Sequence, residues 1–253
     1  MLSGTFNARL SPPPGKGRPT LLRRPDRSRG LRRSRRGFTL LEAALATVII
    51  GVGVLALVEA QWAFLRSNAW SSQAATASYM ANEIRELMRG LPRHDPVNGL
   101  ELVTSGGTTT LQGWGPRASD ATVRDFNHID SFDGLLFRPA GTVGWADADL
   151  PGPIDAFGTV IPDVDGAGNV RTLPSGAAMP LQGWSQQVVV QKINPFNTSI
   201  TYASSAVLPA DASSGFRGLA VDEFPLRVTV IVRYQGPFDS TPVEMARLSW
   251  IVQ

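Results

Sequence analysis

The sequence predicts an α+β fold, with one long N-terminal helix packed on a C-terminal antiparallel β-sheet. Three observations carry this. Residues 38–58 are largely apolar, with Glu42 the only charge. Ala69 to Met88 contains neither Pro nor Gly and repeats apolar residues at helical spacing. Beyond residue 92, Gly, Pro, Thr, Asp and Ser become frequent, and the apolar residues fall into short runs, several alternating at period two. Helix first and strands afterwards is the order of an α+β domain.

The chain divides into four parts. Residues 1–37 hold eleven of the 24 Lys and Arg residues and a single acid, Asp26, so this segment carries about +10. It is rich in Pro, Gly and Arg and is expected to be disordered. The remaining 13 basic and 20 acidic residues leave the rest of the chain at about −7, so the basic isoelectric point belongs to the leader alone. Positive charge abutting an apolar run holds that end of the chain in the cytoplasm, a better account than nucleic-acid binding. No nucleic-acid partner is expected.

Residues 38–65 follow as a transmembrane helix. At about 1.5 Å per residue, the 21 positions from Phe38 to Val58 span roughly the hydrocarbon core of a bilayer. Gly51 and Gly53 lie mid-span, where they either favour close helix packing or weaken the helix. Residues 66–91 continue the helix as an amphipathic extension. Ala77, Met80, Ala81, Ile84, Leu87 and Met88 form its apolar stripe, and Gly90 and Pro92 stop it.

Residues 92–253 make a loop-rich β domain. Its strand candidates are Leu100–Val103, Thr108–Trp114, Leu135–Arg138, Ser185–Ile193, Leu226–Tyr234 and Glu244–Val252. The last two read as a hairpin closed around Gly236-Pro237. Leu-Gln-Gly-Trp occurs at Leu111–Trp114 and Leu181–Trp184, and its flanks do not align, so a chance recurrence or a shared strand-entry turn is the preferred reading.

One carboxylate in an apolar span calls for an explanation. An acid at the bilayer centre costs about 2.5–3.5 kcal/mol on insertion scales. A cationic partner from a neighbouring chain would neutralise Glu42 and make the helix an assembly device.

The run Arg35-Arg36-Gly37-Phe38-Thr39-Leu40-Leu41-Glu42, with the apolar sequence after it, resembles the type IV prepilin signature. That family comprises type IV pilins, minor pilins and type II secretion pseudopilins. The resemblance implies a pilin-like fold and a structural, non-catalytic role. It implies cleavage between Gly37 and Phe38 by prepilin peptidase, N-methylation of Phe38, and pairing of Glu42 with a neighbouring subunit's amino terminus. Within the family, the run from Leu40 to Leu57 looks most like PilV-type minor pilins. The implied partners are the prepilin peptidase and methyltransferase, other pilin or pseudopilin subunits, an inner-membrane assembly platform and membrane lipid. Many major pilins close a C-terminal loop with a disulfide. This chain has no cysteine and fits a minor pilin or pseudopilin better.

Two other readings stay open. Ser34–Phe38 fits the start of a twin-arginine export signal with a cut near Ala60, which would release a soluble binding protein or enzyme. Glu42 argues against it, because export signals avoid charge in the apolar region. An unprocessed single-span anchor is the other, and it leaves Glu42 unexplained.

Candidate chemistry elsewhere is sparse. Asp163-Val164-Asp165-Gly166-Ala167-Gly168-Asn169 resembles a calcium loop through Asp163, Asp165 and Asn169. An EF-hand loop, however, needs oxygen ligands at positions one, three and five, glycine at six and an acid at twelve, whereas here a glycine falls at the fourth position and Pro174 occupies the twelfth. A tight turn is preferred, with calcium retained as a possible ligand and no other cofactor expected. Asp125–Gly134 gathers acids, His128 and two aromatics, and reads as an Asx-rich loop ahead of a strand, the alternatives being a metal site or a subunit contact. With His94 and His128 the only histidines and no Cys, no nucleophile motif is present.

Overall fold

The computed structural model describes residues 38–141 and 148–253. They form two compact units, one ending at Ala56 and the other running from Leu57 to Gln253. Helix α1 spans Leu40–Leu87. In the first unit its side chains are exposed on nearly every face. Among the described residues it is the one helix long and apolar enough to cross a membrane.

In the second unit, Ala77, Met80, Ala81, Ile84 and Met88 are buried, with Leu87 packed at their margin. This is the stripe that the periodicity predicts. Burying side chains of this kind contributes about 1.5–3 kcal/mol each, which ties the last turns of α1 to the sheet. Residues 57–72 are exposed all round.

All six predicted strands form. β1 (Glu101–Ser105) and β2 (Thr108–Gln112) make a separate hairpin. The main sheet contains β3 (Leu136–Arg138), β4 (Asp149–Pro151), β5 (Trp184–Ile193), β6 (Thr201–Tyr202), β7 (Leu226–Tyr234) and β8 (Val243–Val252). Its order is β4-β3-β5-β7-β8, with β6 pairing β5. Every pairing is antiparallel except β3 with β4, so the sheet is mixed rather than purely antiparallel. β4 (Asp-Leu-Pro) and β6 (Thr-Tyr) contain too little apolar sequence to stand out.

β5 sets the architecture. From Trp184 to Lys192 its residues alternate, with Trp184, Gln186, Val188, Val190 and Lys192 facing inward, and Ile193 at its end is also buried. On β7, Leu226, Val228, Val230 and Val232 complete the same layer. The opposite face holds Val189 and Ile231 among polar residues linked across strands: Arg233 donates to Gln187 Oε1 (2.8 Å) and Arg227 to Gln191 Oε1 (2.9 Å). β7 and β8 form the predicted hairpin across residues 235–242, with a register shift at Val232/Arg233.

Residues 153–180 are a chain of tight hairpins closed by single bridges: Ile154 with Val160, Val164 with Val170, Thr172 with Ala178. The first two repeat one local plan. Ile154-Asp155-x-x-Gly158-Thr159-Val160 and Val164-Asp165-x-x-Gly168-Asn169-Val170 each place an aspartate whose Oδ1 accepts two N–H groups of its own turn. This is the internal repeat of the fold. The two Leu-Gln-Gly-Trp copies differ in role, one leaving β2 and the other entering β5. They share a glycine at positive φ facing a carbonyl: a Cβ on Gly113 would lie 2.1 Å from Gly99 O, and on Gly183 2.6 Å from Gln235 O.

Candidate functional site

Gly37, the predicted cleavage position, lies outside the described residues, as does the leader before it. The structure begins at Phe38, which is exposed and non-helical. Thr39 caps α1: its carbonyl accepts from Ala43 N (3.1 Å) and its hydroxyl from Glu42 N (3.3 Å). Thr39-Leu40-Leu41-Glu42 therefore has the spacing of a capping box, in which the glutamate would return a bond to the Thr39 N–H. Here that return bond is not made. The Glu42 carboxylate is exposed and has no hydrogen bond or ion pair among the described residues. A carboxylate in the first turn is favourable to the helix dipole, but that does not neutralise it in lipid.

The region around Asp163, Asp165 and Asn169 is closed on itself. Asp165 Oδ1 accepts from the N–H groups of Ala167 and Asn169 (both 2.9 Å), and its Oδ2 from Asn169 Nδ2 (3.1 Å). These bonds hold its carboxyl below the usual range. Asp163 pairs with Arg171 (3.2 Å). Among the described residues no group of three or more His, Asp or Glu is arranged to hold a metal ion.

The Asp125–Gly134 segment is largely interior. It forms two 3-10 turns, Val123–Asp125 and Ile129–Phe132. Asp125 caps the first, accepting from Thr122 N (2.7 Å). His128, Asp130 and Ser131 are fully buried. His94 Nδ1 donates to Asp130 Oδ2 (2.7 Å), and His128 Nδ1 to Asn127 Oδ1 (2.6 Å). His128 Nε2 faces Gly115 O (3.1 Å), Ser131 Oγ (2.9 Å) and Asp130 Oδ1 (2.9 Å), the last without hydrogen-bond alignment. Burial pulls the imidazole down, but Asp130 and the Gly115 carbonyl outweigh it and raise it above the usual value. Ser131 and His128 have the spacing of a nucleophile and its base, but neither has surface through which a substrate could reach it. Asp133 receives Val190 N (2.8 Å) and Trp114 Nε1 (3.0 Å), which fixes the loop to β5. Burial nevertheless raises its carboxyl.

Lys192 is the residue that sequence reasoning missed. It is fully buried, and its ammonium donates to the carbonyls of Ser204 and Val221. The rings of Trp114 and Phe224 flank it at 5.7 and 5.3 Å. Burial lowers it from 10.5 to about 8, against the opposing pull of Asp130 and Asp222. Its parity with Val188 and Val190 on β5 is the signal that would have placed it inside. These interior groups hold loops to the sheet, whereas Glu42 has no partner among the described residues.

No curated protein and no solved structure matches this chain. Residues 32–58 match the family model described as the prokaryotic N-terminal methylation motif. That match covers the end of the leader and the apolar start of α1, and it supports a structural subunit of pilin or pseudopilin type carried on one membrane-spanning helix.

Proposed function

We propose that this chain is a minor pilin or pseudopilin, made as a precursor and built into a type IV pilus or type II secretion filament. Prepilin peptidase would remove residues 1–37 by cutting between Gly37 and Phe38, and Phe38 would then be N-methylated. The leader would face the cytoplasm and the β domain the far side of the inner membrane. Assembly would bring in other subunits and an inner-membrane platform, with membrane lipid around α1 until extraction. The apolar run would place the chain with PilV-type minor pilins.

The observation that carries this reading is Glu42, without a partner among the described residues, in the first turn of an apolar helix and inside the matched motif. Cleavage creates an α-amine at Phe38, and methylation keeps that amine cationic. In a low-dielectric surrounding, opposite charges attract several-fold more strongly than in water. A neighbour's amine would therefore relieve the cost of placing Glu42 in lipid. The test is N-terminal mass spectrometry of the membrane-associated protein from its host. A chain starting at methylated Phe38 supports the reading. A start near Gln61 would replace it with export of a soluble protein, and an intact leader would leave a plain anchor.

A further inference from the structure

The outward face of the main sheet carries a small cavity that packing alone does not call for. It holds about 300 Å³, the lower end of ligand-sized sites, and Arg138, Ser185, Arg233 and Gln235 are among its walls. Ser185 and Arg233 are half-buried, whereas the Arg138 side chain is 48% exposed, so the cavity opens to solvent beside β3.

Three of these residues stand in one row across the sheet. Ser185 on β5 pairs with Arg233 on β7. β3 pairs with β5 through Leu136 with Gln187 and Phe137 with Gln186, and that register carried one residue further sets Arg138 opposite Ser185. Phe137 is buried, so Arg138 beside it points to the outward face with Ser185 and Arg233. At about 4.8 Å between strands, the two arginine Cα atoms lie about 10 Å apart. Only the short serine side chain stands between them, and the cavity is the gap above it.

Both guanidiniums are held, and neither is used up. Asp149 accepts from Nε (2.7 Å) and Nη2 of Arg138, and Gln187 Oε1 accepts from Nη1 of Arg233 (2.8 Å). Nη1 of Arg138 and Nε and Nη2 of Arg233 have no hydrogen-bond partner among the described residues. The charges of the row do not balance. Asp149 offsets Arg138. Glu244 stands opposite Arg233 on β8, but Arg247 takes both of its oxygens (2.9 and 2.8 Å). Arg233 is therefore the surplus cation, half-buried at the wall of a cavity. A tetrahedral oxyanion offers oxygens on two sides and can be gripped from β3 and β7 together, whereas a carboxylate has one edge and suits one fork.

We propose that this row is an oxyanion site, which takes a phosphate or sulfate group between Arg138 and Arg233 above Ser185. Asp149 and Gln187 set the two guanidiniums in place beforehand, which lowers the ordering cost of binding. Gln235 adds a neutral amide at the rim. The site stands independently of the filament reading, since neither the leader nor the apolar span takes part in it.

The test is isothermal titration calorimetry of the full-length protein in detergent, at constant ionic strength in a zwitterionic buffer free of phosphate. Inorganic phosphate should bind with a Kd on the order of 1 mM, and sulfate should compete with it. Arg138→Gln and Arg233→Gln should each weaken binding roughly tenfold or more, the effect of losing a charge-assisted bond. Ser185→Leu should do the same with both arginines intact, because it fills the gap. Arg227→Gln is the matched control: Arg227 lies on the same face of β7, about 20 Å along the strand, and also donates to a glutamine. Its loss should leave binding unchanged. Near-UV circular dichroism matching wild type shows that each variant is folded. Glycerol phosphate, run in parallel, separates the sources of the group: tighter binding than inorganic phosphate assigns it to an ester on a larger solute, and binding no tighter assigns it to the free ion. Absence of phosphate binding up to about ten times the expected Kd, equal affinity for acetate, undiminished binding in the double variant of Arg138→Gln and Arg233→Gln, or equal weakening by Arg227→Gln would overturn the site.

Discussion

Replacing Lys192 with methionine tests the interior electrostatics directly. The ammonium is buried among Trp114, Phe224 and two backbone carbonyls. A fall from 10.5 to about 8 corresponds to roughly 3 kcal/mol of destabilisation of the charged form at about 1.36 kcal/mol per unit. Below pH 8 both folded and unfolded chains hold the proton, and the full cost is present. Between pH 8 and 10.5 the folded chain releases it first, so the unfolded chain binds more protons and stability rises with pH. Above 10.5 the difference levels off. Lys192→Met removes this dependence. It also leaves the Ser204 and Val221 carbonyls without their donor, at about 1–3 kcal/mol each, so the sign of the change at pH 7 is a balance of two terms. The decisive quantity is the difference between wild type and variant across pH. Full-length protein in detergent is unfolded with guanidinium at pH 7, 8.5 and 10.5, followed by tryptophan fluorescence. Wild type should gain roughly 3 kcal/mol on the variant over that range, within the limits of the extrapolation. A difference that stays flat with pH would refute the account of Lys192 as a strained buried cation.

Gln186→Leu should destabilise the second unit by roughly 3–5 kcal/mol. Its side chain satisfies Ile154 N (2.7 Å), Ile154 O (3.0 Å) and Met80 O (3.0 Å), all buried, and a denaturation midpoint unchanged from wild type would contradict this. Gly113→Ala should cost roughly 2–5 kcal/mol because it combines a positive φ with overlap on Gly99 O. Gly166→Ala, with open space and ordinary φ, should stay within about 0.5 kcal/mol; equal thermal shifts for the two would count against the turn geometry. Gly37→Leu should block removal of the leader, visible as a precursor-size band on immunoblots, since the peptidase must fit the residue before the cut. Glu42→Ala should leave Phe38 methylated yet lower recovery in sheared fibres, and undiminished recovery would end the charge-pairing idea.

Where one face of an element was buried, its sequence revealed it. Ala77, Met80, Ala81, Ile84 and Met88 had to share a face of α1, and that face is the buried one. Val188 and Val190 fixed the parity of β5. The same parity put Gln186 and Lys192 inside, but their partners lie far off in sequence at Met80, Ile154, Ser204 and Val221, and no local pattern announces such pairings. Asp130 shows the opposite difficulty. An acid in a polar, glycine-bounded loop normally faces water, and only the packing of the Ile129–Phe132 turn against β5 draws it in. β4 escaped notice because Asp149-Leu150-Pro151 offers one apolar residue between an acid and a proline, both poor strand formers, and it pairs in parallel with β3. Glu42 was legible for a different reason: a charge in an apolar span contradicts its surroundings.

The hairpins between residues 153 and 180 divide the second unit by local stability. Val164, Val170 and Leu173 are solvent-facing, and each of these small turns is closed by one bridge and a few backbone bonds. Opening one exposes little new apolar surface, so its free energy of opening lies far below that of separating β5 from β7. Amide exchange should therefore run fast through 163–178 while the Val188–Val190 and Val228–Val232 amides exchange only on global unfolding. The same hairpins are where a protease gains its first foothold, so a nick there should leave the helix and central strands associated.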